Sequence, residues 1–590
     1  MILGTVLVLI SWVFLFFMVF VLGQSILIWL RPPSTSGDVT PRQVRMSLWW
    51  GLLIFFTLVL AINLFLPLNS GLSAAIILVV FVLGLISVAI KRPKLQWTPI
   101  PKSLWIAIIT ATLVLAWVVL AYAAMGPVTN YDSGLYHLGA IRYASEYSTI
   151  PGLANLFSPF GYNTSLYPFA AFLANGPWGT EGFRLANGFI FTLLIMDLII
   201  RLFASRGKLH KLSVGSWILL VGALVILVPM VTLSDYWVTS PSSDAPVLVL
   251  TLVACAYLAD GLWKRKGTLD FATSFVVAVV LFSLRPTMTV FLIGILIVLA
   301  VWVYLNRKNN NGLRPFIPVF LAGLLGLILF SVQTVRDYFL SGWVQFPLSI
   351  YSFETPWTFS DAEELRTATL GNARNPEDIW GSIEGFAWVE PWLRRLPEQW
   401  EPFLIIALAL ATLILAITIK VQGIQVRLRL MTLLLLPSFI TTTVWFFFAP
   451  PSFRFGWGPI FSLFIIPIGV FMHGLVQRQR TTSPIRFIVP TFIGVLVVGL
   501  LTVTAYTATV RLPKLLDPIA YQFTLGTLQI PYQATPVITV PVASRMLSSG
   551  LTIEQPIKSD QCWNNYPLCT PIVLESVALR DGSIQKGFLP

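Results

Sequence analysis

The chain has 590 residues, of which 56% are hydrophobic and only 11% charged, against about 25% charged in a soluble domain. That balance excludes a soluble globular enzyme, and 3 Cys with 3 His exclude a cysteine-rich metal scaffold. Lys and Arg outnumber Asp and Glu by 38 to 25, yet they gather in short stretches between apolar runs, which speaks for membrane topology and against nucleic acid.

Apolar runs fall at 2–30, 47–67, 70–90, 103–125, 181–203, 214–233, 244–263, 269–284, 287–305, 315–335, 402–420, 428–449, 456–476 and 485–507. Most are long enough to cross a hydrocarbon core of about 30 Å, and none alternates apolar with polar as a barrel strand does. The expected fold is an all-α polytopic membrane protein of about 14 spans, in a range of about 12–14. No basic residue precedes the first run, so it reads as a retained helix and not a cleaved signal.

The basic residues sort the loops. Arg31, Arg42 and Arg45, then Lys91, Arg92, Lys94 and Lys102, then Arg201, Arg206, Lys208 and Lys211, then Lys264, Arg265 and Lys266 fall between alternate pairs of runs. Arg307, Lys308 and Arg314, then Lys420, Arg427 and Arg429, then Arg478, Arg480 and Arg486 continue the pattern. By the positive-inside rule these loops face the cytoplasm, and the intervening loops and both termini face the exported side of a bacterial inner (plasma) membrane. Residues 1–102 form an N-terminal group of extra helices, and 103–335 a core with a long outward loop at 126–180. A Trp-rich outward loop spans 336–401, further helices 402–507, and a small exported tail 508–590. Within the first loop, 159–178 is broken by Pro159, Pro168 and Pro177 and is expected to be interfacial or re-entrant. In the tail, Cys562 and Cys569 on the exported face are expected to form a disulfide, with free thiols as the alternative.

Thr129–Pro168 is the anomaly in composition: it carries Asp132, His137, Arg142, Glu146 and many Tyr and Asn between two apolar runs. Leu135, Leu138, Ile141, Arg142 and Ser145 suit an amphipathic helix lying on the membrane, with Arg142 and Glu146 on its wet face. Two roles are open to Asp132: a cap on that helix, or a general base or metal ligand for an acceptor at the membrane surface. His137 is a second candidate for proton transfer, or else a loop histidine satisfied by its neighbours. Tyr136 beside it is a candidate substrate contact. Asp244, in Ser240-Pro241-Ser242-Ser243-Asp244-Ala245-Pro246, either caps a helix or shares a polar pocket with Asp132.

Arg285 before Pro286, Arg336 before Asp337, and Arg454 in Pro451-Ser452-Phe453-Arg454-Phe455-Gly456 fall on the outward side against the charge trend. An arginine at that depth needs a partner. The partner is either a phosphate, which guanidinium groups hold in bidentate fashion, or Asp337, Asp244 or a lipid headgroup. The loop 336–401 holds Trp343, Trp357, Trp380, Trp388, Trp392 and Trp400, read mainly as interfacial anchors.

On Tyr131-Asp132-Ser133-Gly134-Leu135-Tyr136-His137, Ser240–Asp244, Arg336-Asp337-Tyr338, the stretch 451–456 and Asp560-Gln561-Cys562-Trp563, the sequence resembles the GT-C superfamily of integral membrane glycosyltransferases. It is similar in particular to a bacterial multi-spanning group with that layout, over about residues 100–590. The resemblance implies a GT-C-like fold, Asp132 as catalytic base, and Arg285, Arg336 and Arg454 as contacts for a carrier phosphate. It implies a sugar donor on polyprenyl phosphate and a lipid or glycan acceptor. The chain departs from the pattern where Ser133 follows Asp132: many relatives carry a second acid there, so a divalent metal is left without support. A transporter or lipid flippase, and a non-catalytic envelope-assembly protein on the same scaffold, are the rival expectations.

Overall fold

An apolar segment in lipid must close its backbone hydrogen bonds within itself, and this chain does so with helices. A computed structural model describes residues 1–30, 39–94, 103–232, 235–264, 267–306, 316–478, 494, 498, 517–572 and 574–590. Helices α1 (Ile2–Leu27), α2 (Pro41–Asn63), α3 (Gly71–Lys91) and α4 (Leu104–Ala123) come first. The next loop carries a π-helical turn, Ser133–His137, and short helices α5 (Leu138–Glu146), α6 (Leu153–Leu156) and α7 (Leu166–Leu173). Then follow α8 (Ala186–Ala204), α9 (Val214–Thr232), the short α10 (Asp235–Thr239), α11 (Asp244–Trp263), α12 (Thr268–Leu284), α13 (Thr289–Asn306) and α14 (Ile317–Ser341).

The second large loop adds the hairpin β1 (Trp343–Gln345) and β2 (Leu348–Ser352), with α15 (Ala362–Arg374) and α16 (Val389–Arg394). The chain returns through α17 (Glu401–Val421), α18 (Leu428–Phe448) and α19 (Phe453–Arg478). The tail is a set of antiparallel pairs: β3 (Ile519–Leu525) with β4 (Leu528–Ala534), β5 (Val542–Met546) with β6 (Thr552–Pro556), and β7 (Ala578–Leu579) with β8 (Phe588–Leu589).

Among the described residues, 11 helices are long and apolar enough to cross a membrane. Two more of the expected runs are present as α9 and the 17-residue α12. The run expected at 485–507 falls almost wholly outside the described residues. The chain is therefore a helical, polytopic membrane protein. Its centre is α11, where every residue from Asp244 to Leu262 is buried. At its edge, α3 and α17 expose Leu78, Leu83, Leu410 and Leu413, the outward apolar surface that lipid requires.

Local chemistry explains several joins. Helix α2 starts at a capping box, with Gln43 N–H on Thr40 Oγ1, the Gln43 side chain back on Thr40 N–H, and Pro41 in the first turn. It then lies against α1 so closely that a Cβ on Gly23 or Gly51 would overlap the partner's backbone at Ser47 or Val19, the small-residue contact typical of helices in lipid. The segment 159–178 does not span as one helix: it packs inward, with Phe169 fully buried against the rings of Phe55 and Phe56 of α2. Pro159 and Pro177 lie outside α7 and Pro168 in its first turn, and the helical pieces are too short to span. The tryptophans also depart from expectation. Trp388 and Trp392 are buried against Phe446, and Trp392 donates to the Pro451 carbonyl. The interfacial role suits the exposed Trp380 better than these two.

The helix ends on the face opposite Asp132 hold a buried charge network that the sequence reading left unranked. Asp197 of α8 accepts from Arg201 at 2.6 Å, Arg45 at 3.3 Å, Trp49 at 2.7 Å and Tyr257 at 2.8 Å. Arg201 also donates to Asp260 of α11 at 2.8 Å, and Asp270 of α12 pairs with Arg42 and, at 3.4 Å, with Lys264. One knot thus ties α2, α8, α11 and α12 together. Its sign in the sequence is an acid inside an apolar run next to a basic loop. Asp197→Ala leaves Arg45 buried without its acid and Arg201 with Asp260 alone, and is expected to cost about 3–5 kcal/mol, read as a fall in the unfolding temperature of the detergent-solubilised protein.

Candidate functional site

Of the roles open to Asp132, the structure does not show the helix cap. Its backbone is already helical (φ −66°, ψ −22°), and its side chain makes no capping bond. The five residues after it form a π-turn that the Leu138 N–H closes onto the Ser133 carbonyl, a distortion often found where side chains must be re-aimed. The Asp132 carboxylate accepts instead from Arg454, 2.7 Å away at the start of α19. This pair is open to solvent, with side chains 16% and 36% exposed.

Beneath it lies a second pair. Asp244 does not cap either: Ser243 is the residue before the helix, and Asp244 sits in the first turn of α11. Ser242 Oγ donates to the Asp244 carboxylate at 2.9 Å, and Arg285 pairs with the same group. Arg285 can reach it because the residue before a proline avoids the helical region. Ahead of Pro286 its backbone is extended (φ −151°, ψ 114°), and α12 ends there. Arg285 also donates to Ser243 Oγ at 3.0 Å and to the Arg454 carbonyl at 3.4 Å. Both guanidinium groups lie about the Phe455 ring, at 5.1 Å and 4.9 Å from its centre. Asp132, Asp244, Arg285 and Arg454 form one neutral group drawn from four separate parts of the chain.

His137 is buried behind this group. Its Nδ1 lies 3.1 Å from Ser133 Oγ, which is 2.6 Å from Ser240 Oγ. Burial pushes its pKa down to about 4, only partly offset by Asp132 and Asp244, so the ring is neutral at neutral pH. Tyr136 and Tyr167 pack on the imidazole, and Tyr162 on Tyr136. Burial, foremost, raises the Tyr136 hydroxyl well above its usual range. Asn187 holds the second loop, its amide nitrogen lying 2.7–2.9 Å from the carbonyls of Trp237, Ser240 and Ser242. Asn187 carried no signal in the sequence, because a lone Asn inside an apolar run names no partner.

Arg336 stands apart. It donates to Asn163 Oδ1 at 2.6 Å and to Asn63 Oδ1 at 3.4 Å, and lines a separate small cleft with Asn63, Tyr162 and Tyr167. Two of the three singled-out arginines therefore meet Asp132's group, and the third does not. Arg142 was expected to face water, but it donates to the Asn564 carbonyl at 3.0 Å. Cys562 and Cys569 form a disulfide, with Cα atoms 5.9 Å apart. Among the described residues no cluster of three or more His, Cys, Asp or Glu side chains is placed to hold a metal. Asp132 and Asp244 are each taken by an arginine, so this donor set does not fit a divalent ion.

All four charges of the group lie within residues 6–461, which match one family model. The chain belongs to the family described as Domain of unknown function (DUF8201). No curated protein and no solved structure matches it. The matched stretch takes in the first loop, the central α11 and the start of α19, while the tail lies beyond it.

The buried, neutral His137 has a measurable consequence. Its folded pKa of about 4 is below the usual 6.5, so the unfolded chain binds the extra proton first as pH falls. The stability it contributes is complete above about pH 6.5 and is lost as pH falls toward 4, by about 3 kcal/mol. His137→Gln should flatten that part of a plot of unfolding temperature against pH.

Proposed function

We propose that the chain is a membrane glycosyltransferase of GT-C type, moving a sugar from a polyprenyl-phosphate donor to a hydroxyl of a lipid or glycan acceptor. The observation that carries this reading is the solvent-open Asp132–Arg454 pair, backed by the closed Asp244–Arg285 pair. Transfer needs a base at the acceptor hydroxyl and a cation over the leaving phosphate, and the two halves of the open pair match those needs.

A donor phosphate entering the site competes with Asp132 for Arg454, since a guanidinium holds phosphate through two parallel bonds. That exchange frees the Asp132 carboxylate beside the incoming acceptor. The acceptor proton passes to Asp132 as the hydroxyl oxygen bonds the anomeric carbon. The bond from that carbon to the carrier phosphate breaks, and the phosphate keeps the electron pair, its charge facing Arg454 with Arg285 behind. Asp244 holds Arg285 in place throughout. His137, neutral and closed in by Ser133 and tyrosine rings, has a positioning part here, and Tyr136 and Tyr162 offer flat faces to a sugar. Arg336, in its own cleft, has no part in holding this phosphate.

The exported side of a bacterial inner membrane is the location this reading requires. The basic helix ends at Arg42, Arg45, Arg201 and Lys264 support it, since they gather on the opposite face. A transporter would be expected to carry its ionisable groups at mid-span in broken helices, whereas these sit at helix ends.

Transfer from synthetic polyprenyl-phosphate sugars by the purified protein tests the reading. Asp132→Asn is expected to lower kcat by about 10²–10⁴-fold, and Arg454→Gln to weaken the donor chiefly through KM. Equal turnover by wild type and Asp132→Asn would remove Asp132 as base. Absence of transfer by wild type across donors would favour the non-catalytic assembly role.

A further inference from the structure

We infer that the C-terminal tail is a working part of the site: Asp560, Gln561 and Trp563 clamp the backbone on both sides of Asp132 and so set where its carboxylate points. These are positioning residues, acting through the loop and not on the reacting atoms. That Asp132 is a base rests on the reading above; the clamp itself does not.

The contacts bracket Asp132. On its N-terminal side, Tyr131 gives its hydroxyl to the Asp560 carboxylate and its carbonyl accepts from Gln561 Nε2 at 2.6 Å. On the other side, the Trp563 N–H donates to the Gly134 carbonyl at 2.8 Å. The Trp563 indole covers Gly134 so closely that a Cβ there would overlap the ring. Asp560, Gln561 and Trp563 thus hold Tyr131 and Gly134 across more than 400 positions of sequence. The Tyr131 hydroxyl, pushed up to about 12 chiefly by its bond to Asp560, stays a donor at any physiological pH.

The tail is built to hold this grip. The Cys562–Cys569 disulfide closes the short loop that carries Trp563. Within that loop Trp563 and Leu568 sit at φ +48° and +59°, a left-handed conformation that bulky residues adopt only when their surroundings enforce it. Further contacts run along α5: Leu568 N–H donates to Tyr143 Oη at 3.1 Å, the Tyr566 ring packs on Tyr143, and Arg142 binds Asn564. The root of the tail is tied down too, where the fully buried Arg184 bridges the carbonyls of Gly126 and Thr535 at 2.7 Å and 2.6 Å. The clamp lies outside the family-matched residues 6–461, while everything it holds lies inside them.

Hydrogen–deuterium exchange on the full chain in detergent tests the clamp without reference to any reaction. Trp563→Ala is expected to speed exchange of the amides of 131–147 by about tenfold or more, with α2 and α11 unchanged and Trp563→Phe close to wild type. Gly134→Ala should loosen the same segment by pushing the indole off. Combining it with Trp563→Ala should then add nothing, because both remove one contact. Unchanged exchange, or effects of the two changes that simply add, would overturn the clamp. If Trp563→Ala does not fold, Asp560→Asn with Gln561→Ala, which alters only outward contacts, must loosen 131–147 as well, or the clamp is wrong. In the transfer assay the same variants should lower kcat and spare donor KM. Loosening without any transfer by wild type would defeat the enzyme reading and leave the clamp standing. Normal transfer with unchanged exchange would do the reverse.

Discussion

A charge placed at the edge of a bilayer needs its counter-charge in contact, and that constraint shapes both faces of this helix bundle. On one face Asp197, Asp260 and Asp270 are sealed among Arg42, Arg45, Arg201 and Lys264, with their carboxylates fully buried. On the other, Asp244 and Arg285 repeat the arrangement almost as tightly, but Asp132 and Arg454 remain 16% and 36% exposed. The same interaction is a fastener where water is excluded and an exchangeable contact where water reaches it. Of the two pairs on that face, the open one can trade its partner for a ligand without first unpacking helices.

That open pair depends on two backbone irregularities. The π-turn from Ser133 to His137 breaks the amphipathic helix expected there, and Asp132 is released from capping to face α19. The stop at Arg285-Pro286 turns what could be one long apolar stretch into α12 and α13, and brings a guanidinium to the first turn of α11. The π-turn is supported from outside: Ser240 and Asn187 hold the neighbouring loop, and the tail grips Tyr131 and Gly134. The small exported tail offered only local features in the sequence, its two cysteines. Its binding face is not local, and it lies against the first loop.

Much of the architecture was legible from residues alone. Uninterrupted apolar runs announce membrane helices because nothing else satisfies the backbone in lipid, and the charge alternation orders their ends. Arg285 and Arg454 could be singled out because they fall against the charge trend, and Asp132 and Asp244 because they open helices on that same outward side. What they do for one another could not be read. The cap that seemed open to Asp132 and to Asp244 is a local choice, and both were drawn away by arginines more than 40 positions distant. Arg336, equal to the other two arginines by every local sign, falls behind Asn63 and Asn163 instead.

The sequence by itself determined the class of the protein, its main helices and the short list of residues able to carry chemistry, since hydropathy and charge placement act over a single segment. Only the tertiary structure decided which of those residues meet. Helix packing brings the ends of α11, α12 and α19 to the first loop, and pairing of charges across that junction depends on distance in space. The grip of Trp563 on Gly134 belongs to the same kind: a missing Cβ has meaning only once the ring that fills its place is known.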